Sequence, residues 1–211
     1  MGKFVFKLLR PFVLPIVILL IWQLVYINEF FLEALFPGPK AVWLKFWEMT
    51  LNGELFIHVG VSLRRVLLGF LLAMALAIPF GLILGWYKKA EHFCEVVIHV
   101  GRTIPIMAWI PLTIMWFGMG EISSILIIML GAFFPTFFNT IAGVREVNKN
   151  HIDAALNLGV KPNSWMLFKE VVLPSSVPLI VTGQNISLGY ALSAIVAVSY
   201  THLTLPTILL V

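Results

Sequence analysis

Long apolar runs separated by short polar segments dominate the chain. A helix that crosses a bilayer needs about 20 mostly apolar residues, and the pattern predicts such helices in five places. They are residues 11–28, 61–87, 103–119, 121–143 and 176–198. The third run is short and contains Pro105 and Pro111, so neighbouring helices must satisfy its broken backbone inside a bundle. We therefore expect an all-α integral membrane protein with about five transmembrane helices.

Composition supports a membrane environment and excludes several other classes. Hydrophobic residues make up 60% of the chain and charged residues 11%, whereas a soluble domain carries about 25% charged residues. The formal net charge of +4 comes with no basic run or basic face, so nothing indicates a nucleic-acid partner.

The placement of Lys and Arg predicts the orientation of the chain. Cytoplasmic segments of membrane proteins are enriched in these residues. With the N-terminus in the cytoplasm, 10 of the 14 basic residues fall inside. They are Lys3, Lys7, Arg10, Lys88, Lys89, Arg102, Arg145, Lys149, Lys161 and Lys169. The same count places the loop at residues 144–175 in the cytoplasm.

A polar stretch between two predicted spans, residues 151–178, is the most informative part of the chain. We expect a short helix with a small-residue face, formed by Asp153, Ala154 and Ala155, that ends at Gly159. Glycine adopts the left-handed conformation that ends many helices. A second helix is expected to begin after Pro162 and to stop at Leu173-Pro174. A structured cytoplasmic loop of this length indicates a docking site.

Small residues on the second span indicate close helix packing. Gly81 and Gly85 are four positions apart, and Gly69 and Ala77 have compatible spacing. Such residues let helix backbones approach each other in lipid. We interpret the pattern as packing within the chain.

Polar residues inside the fifth span suggest a solute path. Thr182, Asn185 and Gly189 recur at helical spacing and share one face, and Asn139 lies near the end of the fourth span. Polar groups at membrane depth are costly and often functional. Interhelical hydrogen bonding explains them equally well, so both interpretations stay open at this point.

No motif for catalysis, nucleotide binding or metal binding is present. The chain lacks a phosphate-binding Gly-rich loop and a Cys/His cluster with metal-ligand spacing. No Asp, Glu, Lys or Arg lies at the centre of a predicted span. That absence argues against an ion-coupled transporter and favours a pump powered from outside the membrane. An ATP-independent secondary transporter or channel, and a membrane scaffold, remain the alternatives.

Several stretches together resemble one known family. The loop at residues 151–178 is similar to the "EAA…G…LP" loop of the membrane permease subunits of bacterial ABC importers. Further similar stretches are SLRRVLLGF (62–70), RTIPIMAWIPLTIMWFGMGE (102–121) and FFPTFFNTIAGVREVN (133–148). Together they cover most of residues 36–198. The likeness is strongest to the subfamily that imports nitrate, sulfonates, taurine and related small solutes.

The resemblance implies a fold, partners and site residues. Two permease subunits, as a homodimer, would form the pore for a small solute in the cell inner membrane. A cytoplasmic ABC ATPase dimer would bind the ATP, so this chain needs no cofactor, and an extracytoplasmic solute-binding protein would deliver the solute. The transmembrane domain would span residues 1–198, with its core at about 58–198. The residues implied in ATPase coupling are Asp153, Ala154, Ala155, Gly159, Leu173 and Pro174.

The chain departs from the family pattern at three places. Asp153 stands where the family usually has Glu. The interval from Gly159 to Pro174 appears two positions longer than usual, and we expect the turn at Lys161-Pro162 to absorb the difference. The family continues into a sixth span, whereas residues 199–211 read SYTHLTLPTILLV. This tail looks like a translated sequencing adapter joined to a truncated gene, and our hypothesis is that it is not native.

Overall fold

The computed structural model describes residues 2–28, 36–87, 100–101 and 103–208, and for residues 2–11 and 201–208 it describes the backbone alone. The helices are α1 (Gly2–Ile27), α2 (Pro39–Leu51), α3 (Glu54–Trp86), α4 (Trp109–Phe117), α5 (Glu121–Arg145), α6 (Lys149–Asn157) and α7 (Leu173–Ile208). A 3-10 turn, Ile106–Ala108, precedes α4. A helical turn, Trp165–Leu167, and a π-helical segment, Phe168–Val172, lead directly into α7.

The chain forms two compact units, Met1–Gly60 and Val61–Val211. In the first unit, the Trp22 indole Nε1 donates a hydrogen bond of 3.1 Å to the carbonyl oxygen of Pro37. This contact joins the end of α1 to the segment that precedes α2. Helix α2 exposes Trp43 and Trp47, whose rings meet edge to face with centroids 6.0 Å apart. Exposed tryptophans of this kind suit the membrane–water interface.

Three helices in the described part of the chain are long and apolar enough to cross a membrane. They are Glu54–Trp86, Glu121–Arg145 and Trp165–Tyr200. They confirm the second, fourth and fifth predicted spans. Two shorter apolar helices, Phe12–Ile27 and Ile106–Phe117, fall within the first and third predictions. The predicted all-α membrane fold is confirmed.

The third apolar run is broken, as its prolines predict. Pro105 precedes the 3-10 turn, and Pro111 is the third residue of α4. A proline in the first turn of a helix costs little, because the N–H it lacks would have no partner inside the helix. The run therefore folds as a turn and a nine-residue helix instead of one continuous span.

Helix α5 packs closely against α3 through small residues. A methyl group added at Gly81 would lie 2.7 Å from Cβ of Thr140, and one added at Gly85 would lie 2.7 Å from Cβ of Val144. Ala73 and Ala77 on the same stripe are fully buried. At these distances no side chain larger than hydrogen fits without displacing α5. The predicted packing role of Gly81 and Gly85 is confirmed.

Helix α7 packs on α5 through buried hydroxyl groups. The Ser187 hydroxyl donates to the carbonyl oxygen of Ala132 at 2.7 Å, and the Thr136 hydroxyl lies 2.7 Å from the Ser187 oxygen. Because Ser187 uses its one hydrogen on Ala132, Thr136 is the donor to Ser187. The two helices are thus joined by hydrogen bonds that leave neither hydroxyl without a partner.

Helix α7 extends beyond the predicted fifth span, and part of the orientation evidence is not described. The prediction ended the span at residue 198, the apolar span in the structure ends at Tyr200, and the helix itself continues to Ile208. The apolar pattern weakens there, but no residue at 199–205 breaks a helix. That residues 199–211 are not native stays a prediction. Lys88, Lys89 and Arg102, which supported the orientation, lie outside the described residues.

The contact between α3 and α5 predicts a position-dependent effect of leucine substitution. Gly81→Leu should destabilise the protein by about 1–3 kcal/mol, since overpacking forces the helices apart. Gly60→Leu is the matched control on the same helix, because a side chain there meets nothing within 4 Å. Thermal unfolding in detergent would measure both. Equal melting temperatures for the two variants would contradict the described packing.

Candidate functional site

Helix α6 has a defined cap at each end. At its start, the Asn148 side-chain oxygen accepts a hydrogen bond of 3.0 Å from the backbone N–H of Asn150. At its end, Gly159 has φ of +87°. The Gly159 N–H donates to the Leu156 carbonyl at 3.0 Å. The Val160 N–H donates to the Ala155 carbonyl at 3.1 Å. This pair of bonds is a Schellman motif, so the predicted helix end at Gly159 is confirmed.

The small residues of α6 do not form a single face. Ala155 is buried, while Asp153 and Ala154 are exposed. Successive residues of an α-helix are about 100° apart, so three consecutive positions cannot share one side. The predicted common face is therefore wrong. Ala155 packs inward, and the helix contacts the π-helical segment.

The outward face of α6 carries an apolar residue that sequence reasoning missed. Leu158 is 87% exposed and follows directly after the helix, beside Asp153 and Ala154. A single exposed leucine is common on protein surfaces, but this one lies at a fixed, capped helix end. Its position next to Gly159 was the signal available in the sequence.

A tight turn and an aromatic contact connect α6 to α7. Asn163 has φ of +55°, and the Ser164 hydroxyl caps the next helical turn by accepting from the Leu167 N–H at 3.2 Å. The Phe168 ring then meets Trp86 of α3 edge to face, with centroids 5.2 Å apart. The expected turn at Lys161-Pro162 is present, and Phe168 fixes the following segment on the end of α3.

The second helix of the loop does not stop at Leu173-Pro174, which corrects the sequence prediction. Helical structure runs from Trp165 without a break into α7. Proline lacks an N–H, and its ring clashes with the carbonyl four residues earlier in a regular helix. The π-helical segment that ends at Val172 replaces the regular spacing just before Pro174. Leu173 is half-buried and Pro174 is exposed.

The three predicted pore-lining residues of α7 lie together on its exposed side. Thr182, Asn185 and Gly189 are all exposed, and Ser187 and Ala191, which face α5, are fully buried. The Thr182 hydroxyl donates to the Pro178 carbonyl at 2.9 Å, so it is satisfied within its own helix. The polar side of α7 is thus directed away from the packing interface with α5.

Asn139 occupies a different environment. Its amide nitrogen donates to the Pro135 carbonyl at 2.8 Å, and a methyl group added at Gly183 would lie 2.6 Å from its Cβ. Asn139 is therefore half-buried where α5 meets α7, apart from the exposed polar face.

An ion pair links α3 to α5. Arg64 of α3 pairs with Glu121, the first residue of α5. A carboxylate in the first turn also interacts favourably with the helix dipole. Among the described residues, no group of three or more His, Cys, Asp or Glu could hold a metal ion.

Comparison with known families identifies the fold. The family described as "binding-protein-dependent transport system inner membrane component" matches residues 77–210. The chain belongs to this family. It is the permease subunit of an ABC importer and a multi-pass inner membrane protein. The permease is a transport component of a system that also has a solute-binding protein and an ATPase.

Similar permeases come from distant organisms. The permease is 40% identical over 190 residues to a Methanocaldococcus jannaschii protein provisionally named an ABC transporter permease, covering 87% of this chain and 69% of the relative. It is 37% identical over 190 residues to a Bacillus subtilis protein provisionally named an aliphatic sulfonates transport permease, covering 90% and 68%. It is 32% identical over 204 residues to the nitrate import permease protein of Synechococcus elongatus, covering 90% and 71%.

The left-handed cap of α6 predicts a graded series at one position. Gly159→Val should weaken the helix end by about 1–2 kcal/mol, since a branched side chain is strained at positive φ. Gly159→Asn should be close to wild type, because asparagine tolerates this conformation. Limited proteolysis of the loop would report how much the helix end is weakened in each variant. ATP-dependent uptake would report whether that weakening affects transport. Wild-type behaviour of Gly159→Val would show that the cap does not matter.

Proposed function

We propose that this permease imports a small oxyanion-bearing solute of the nitrate, sulfonate or taurine type. The relatives named for sulfonate and nitrate transport support this class. Two copies of the permease form the pore, with the polar face of Thr182, Asn185 and Gly189 lining it. The N-terminus lies in the cytoplasm, and α6 docks on a dimer of ATP-hydrolysing subunits.

The packing of α6 against the helical segment that continues into α7 carries this proposal. Helix α6 presents Asp153, Ala154 and Leu158 outward and contacts the π-helical segment with its other side. That segment continues directly into α7, on which the polar residues lie. When an ATPase displaces α6, the π-helical segment packed against α6 is displaced with it. Because that segment is continuous with α7, the displacement reaches the polar face. Pro174, the second residue of α7, lies between this segment and the polar face of the helix.

The polar face suits a pore because its groups are available and uncharged. Asn185 is exposed and offers an amide, and Gly189 has open space in front of its Cα. Burying an unpaired polar group in lipid costs several kcal/mol. A water-filled path between two permease subunits removes that cost. Contacts without a fixed charge also let a solute leave as readily as it enters.

The docking role of α6 predicts a loss of ATPase binding on substitution of its exposed leucine. Leu158→Asp should weaken co-purification of the ATPase by about tenfold or more, because burial of a leucine stabilises a complex by about 1.5–3 kcal/mol. Membrane insertion should persist. Leu51→Asp is the matched control, since Leu51 is also highly exposed but lies at the end of α2. Retention of the ATPase by Leu158→Asp would contradict the docking role.

The pore role of α7 predicts reduced transport with intact assembly. Asn185→Leu should lower ATP-driven uptake in proteoliposomes by about three- to tenfold, the worth of one lost hydrogen bond. Leu188→Val, a conservative change at an exposed apolar position of the same helix, should leave uptake unchanged. Transport by the purified permease alone, without ATP or an ATPase, would instead support a secondary transporter.

A further inference from the structure

A narrow groove lies where the end of α3 meets the segment that leads into α7. Its volume is about 290 Å³, and Pro79, Ile83 and Trp86 of α3 form one of its walls. One turn of helix with its side chains, a cylinder about 10 Å wide and about 5.4 Å long, occupies roughly 400 Å³. The groove is therefore too small for a helix of a protein partner and suits a thinner ligand.

The groove extends from the membrane surface into the apolar part of the bilayer. Trp86 is the last residue of an apolar membrane helix, and two lysines follow Tyr87 in the sequence. A tryptophan at the end of a span and basic residues just beyond it mark the membrane surface. Pro79 lies one or two helical turns deeper, about 10 Å from Trp86 along the helix. Pro79 and Ile83 are exposed, so this wall is open to lipid tails.

Three aromatic rings form the mouth of the groove, which is its end at the membrane surface. The Phe168 ring stacks on that of Trp165 with centroids 5.4 Å apart, and it meets Trp86 edge to face with centroids 5.2 Å apart. Trp165 is nevertheless 73% exposed. An exposed tryptophan suits the headgroup region of a bilayer, because its ring is apolar and its N–H is polar. The mouth is therefore placed at the level of the lipid headgroups.

Hydrogen-bond donors surround the mouth. The Trp165 indole N–H, the Tyr87 hydroxyl and the Asn163 amide belong to residues that line the groove, and each of these groups can donate. None of the three forms a hydrogen bond with the described part of the chain. A ligand with several acceptor oxygens, such as a phosphodiester, can accept from more than one of them.

Lys169 adds a positive charge beside these donors. It follows Trp165 by four positions, and residues at that spacing are neighbours on a helix surface. The Lys169 Nζ lies 3.7 Å from Oε1 of Glu170, and the two side chains are 63% and 62% exposed. An ion pair this long and this exposed contributes little. The lysine charge therefore stays available to the phosphate of a ligand.

We propose that this groove binds one anionic phospholipid. Its acyl chain lies along Ile83 and Pro79, and its phosphate contacts Trp165, Asn163 and Lys169. A lipid in this position touches both α3 and the segment that leads into α7, so it strengthens the aromatic contact between them. The site goes beyond the proposed import function and does not depend on which solute the permease carries.

The test measures lipid binding to the permease assembled with its ATPase in detergent. Native mass spectrometry gives the dissociation constants of phosphatidylglycerol and phosphatidylcholine with identical acyl chains. The wild type should bind phosphatidylglycerol more tightly by about fivefold or more. Lys169→Gln should reduce this preference about fivefold, the effect of one lysine at a membrane surface. Lys40→Gln, which removes the charge of an exposed lysine on α2, should match the wild type.

A second variant tests the apolar part of the groove. Ile83→Trp fills it and should weaken phosphatidylglycerol binding about tenfold, the scale on which apolar pockets discriminate size. Leu76→Trp is the matched control, because Leu76 is also exposed on α3 but does not line the groove. Lys169 lies on the surface, so Lys169→Gln keeps the test decisive if Ile83→Trp does not fold.

The outcomes are distinct. Loss of the preference in Lys169→Gln but not in Lys40→Gln, with weaker binding in Ile83→Trp but not in Leu76→Trp, supports the site. Equal affinity of the wild type for the two lipids overturns it. An equal fall in both lysine variants also overturns it, since that result shows a general effect of charge. Unchanged lipid binding in Ile83→Trp, with release of another subunit from the complex, overturns it in favour of a protein segment in the groove.

Discussion

The close approach of α5 to its neighbours is the interaction on which the rest of this permease depends. Lipid tails are as apolar as leucine, so burial of apolar surface does not hold membrane helices together. Contact between backbones must do so. Gly81 and Gly85 bring α3 onto α5, and the hydrogen bonds through Thr136 and Ser187 bring α7 onto a neighbouring part of its surface. Because these contacts use one side of α7, the polar groups of α7 lie on its remaining, exposed side.

Helix α5 also fixes the segment between α6 and the polar face of α7. The carbonyl oxygen of Ser176 lies 2.9 Å from where a Cβ on Gly143 would sit, so α7 is held against α5 immediately after Pro174. Before that point, Phe168 rests on Trp86, and α6 rests on the π-helical segment. Pro174 therefore lies between two packed contacts, that of Phe168 with Trp86 and that of Ser176 with Gly143.

Much of this arrangement follows from the sequence, and the exceptions have identifiable causes. Apolar length predicted the long spans, and the glycine at position 159 predicted the end of α6, because each depends on local chemistry. Pro174 misled the prediction, since a proline stops a regular helix but not one with π-helical spacing before it. The separation of Asp153 and Ala155 follows from helix geometry and was missed, whereas the burial of Ala155 and the degree to which Leu158 is exposed depend on what α6 packs against.

The π-helical segment also determines where this permease can change in length. A surface turn such as the one at Lys161-Pro162 absorbs an added or lost residue by changing its path. Inside continuous helix the same change rotates everything before it by about 100° and shifts it by about 1.5 Å. A π-helical turn already holds one residue more than a regular turn, so a deletion between residues 168 and 172 would return it to regular spacing and put the Pro174 ring against the carbonyl four residues earlier. Insertions and deletions among variants of this chain should accordingly collect in the turn and avoid the segment that follows it.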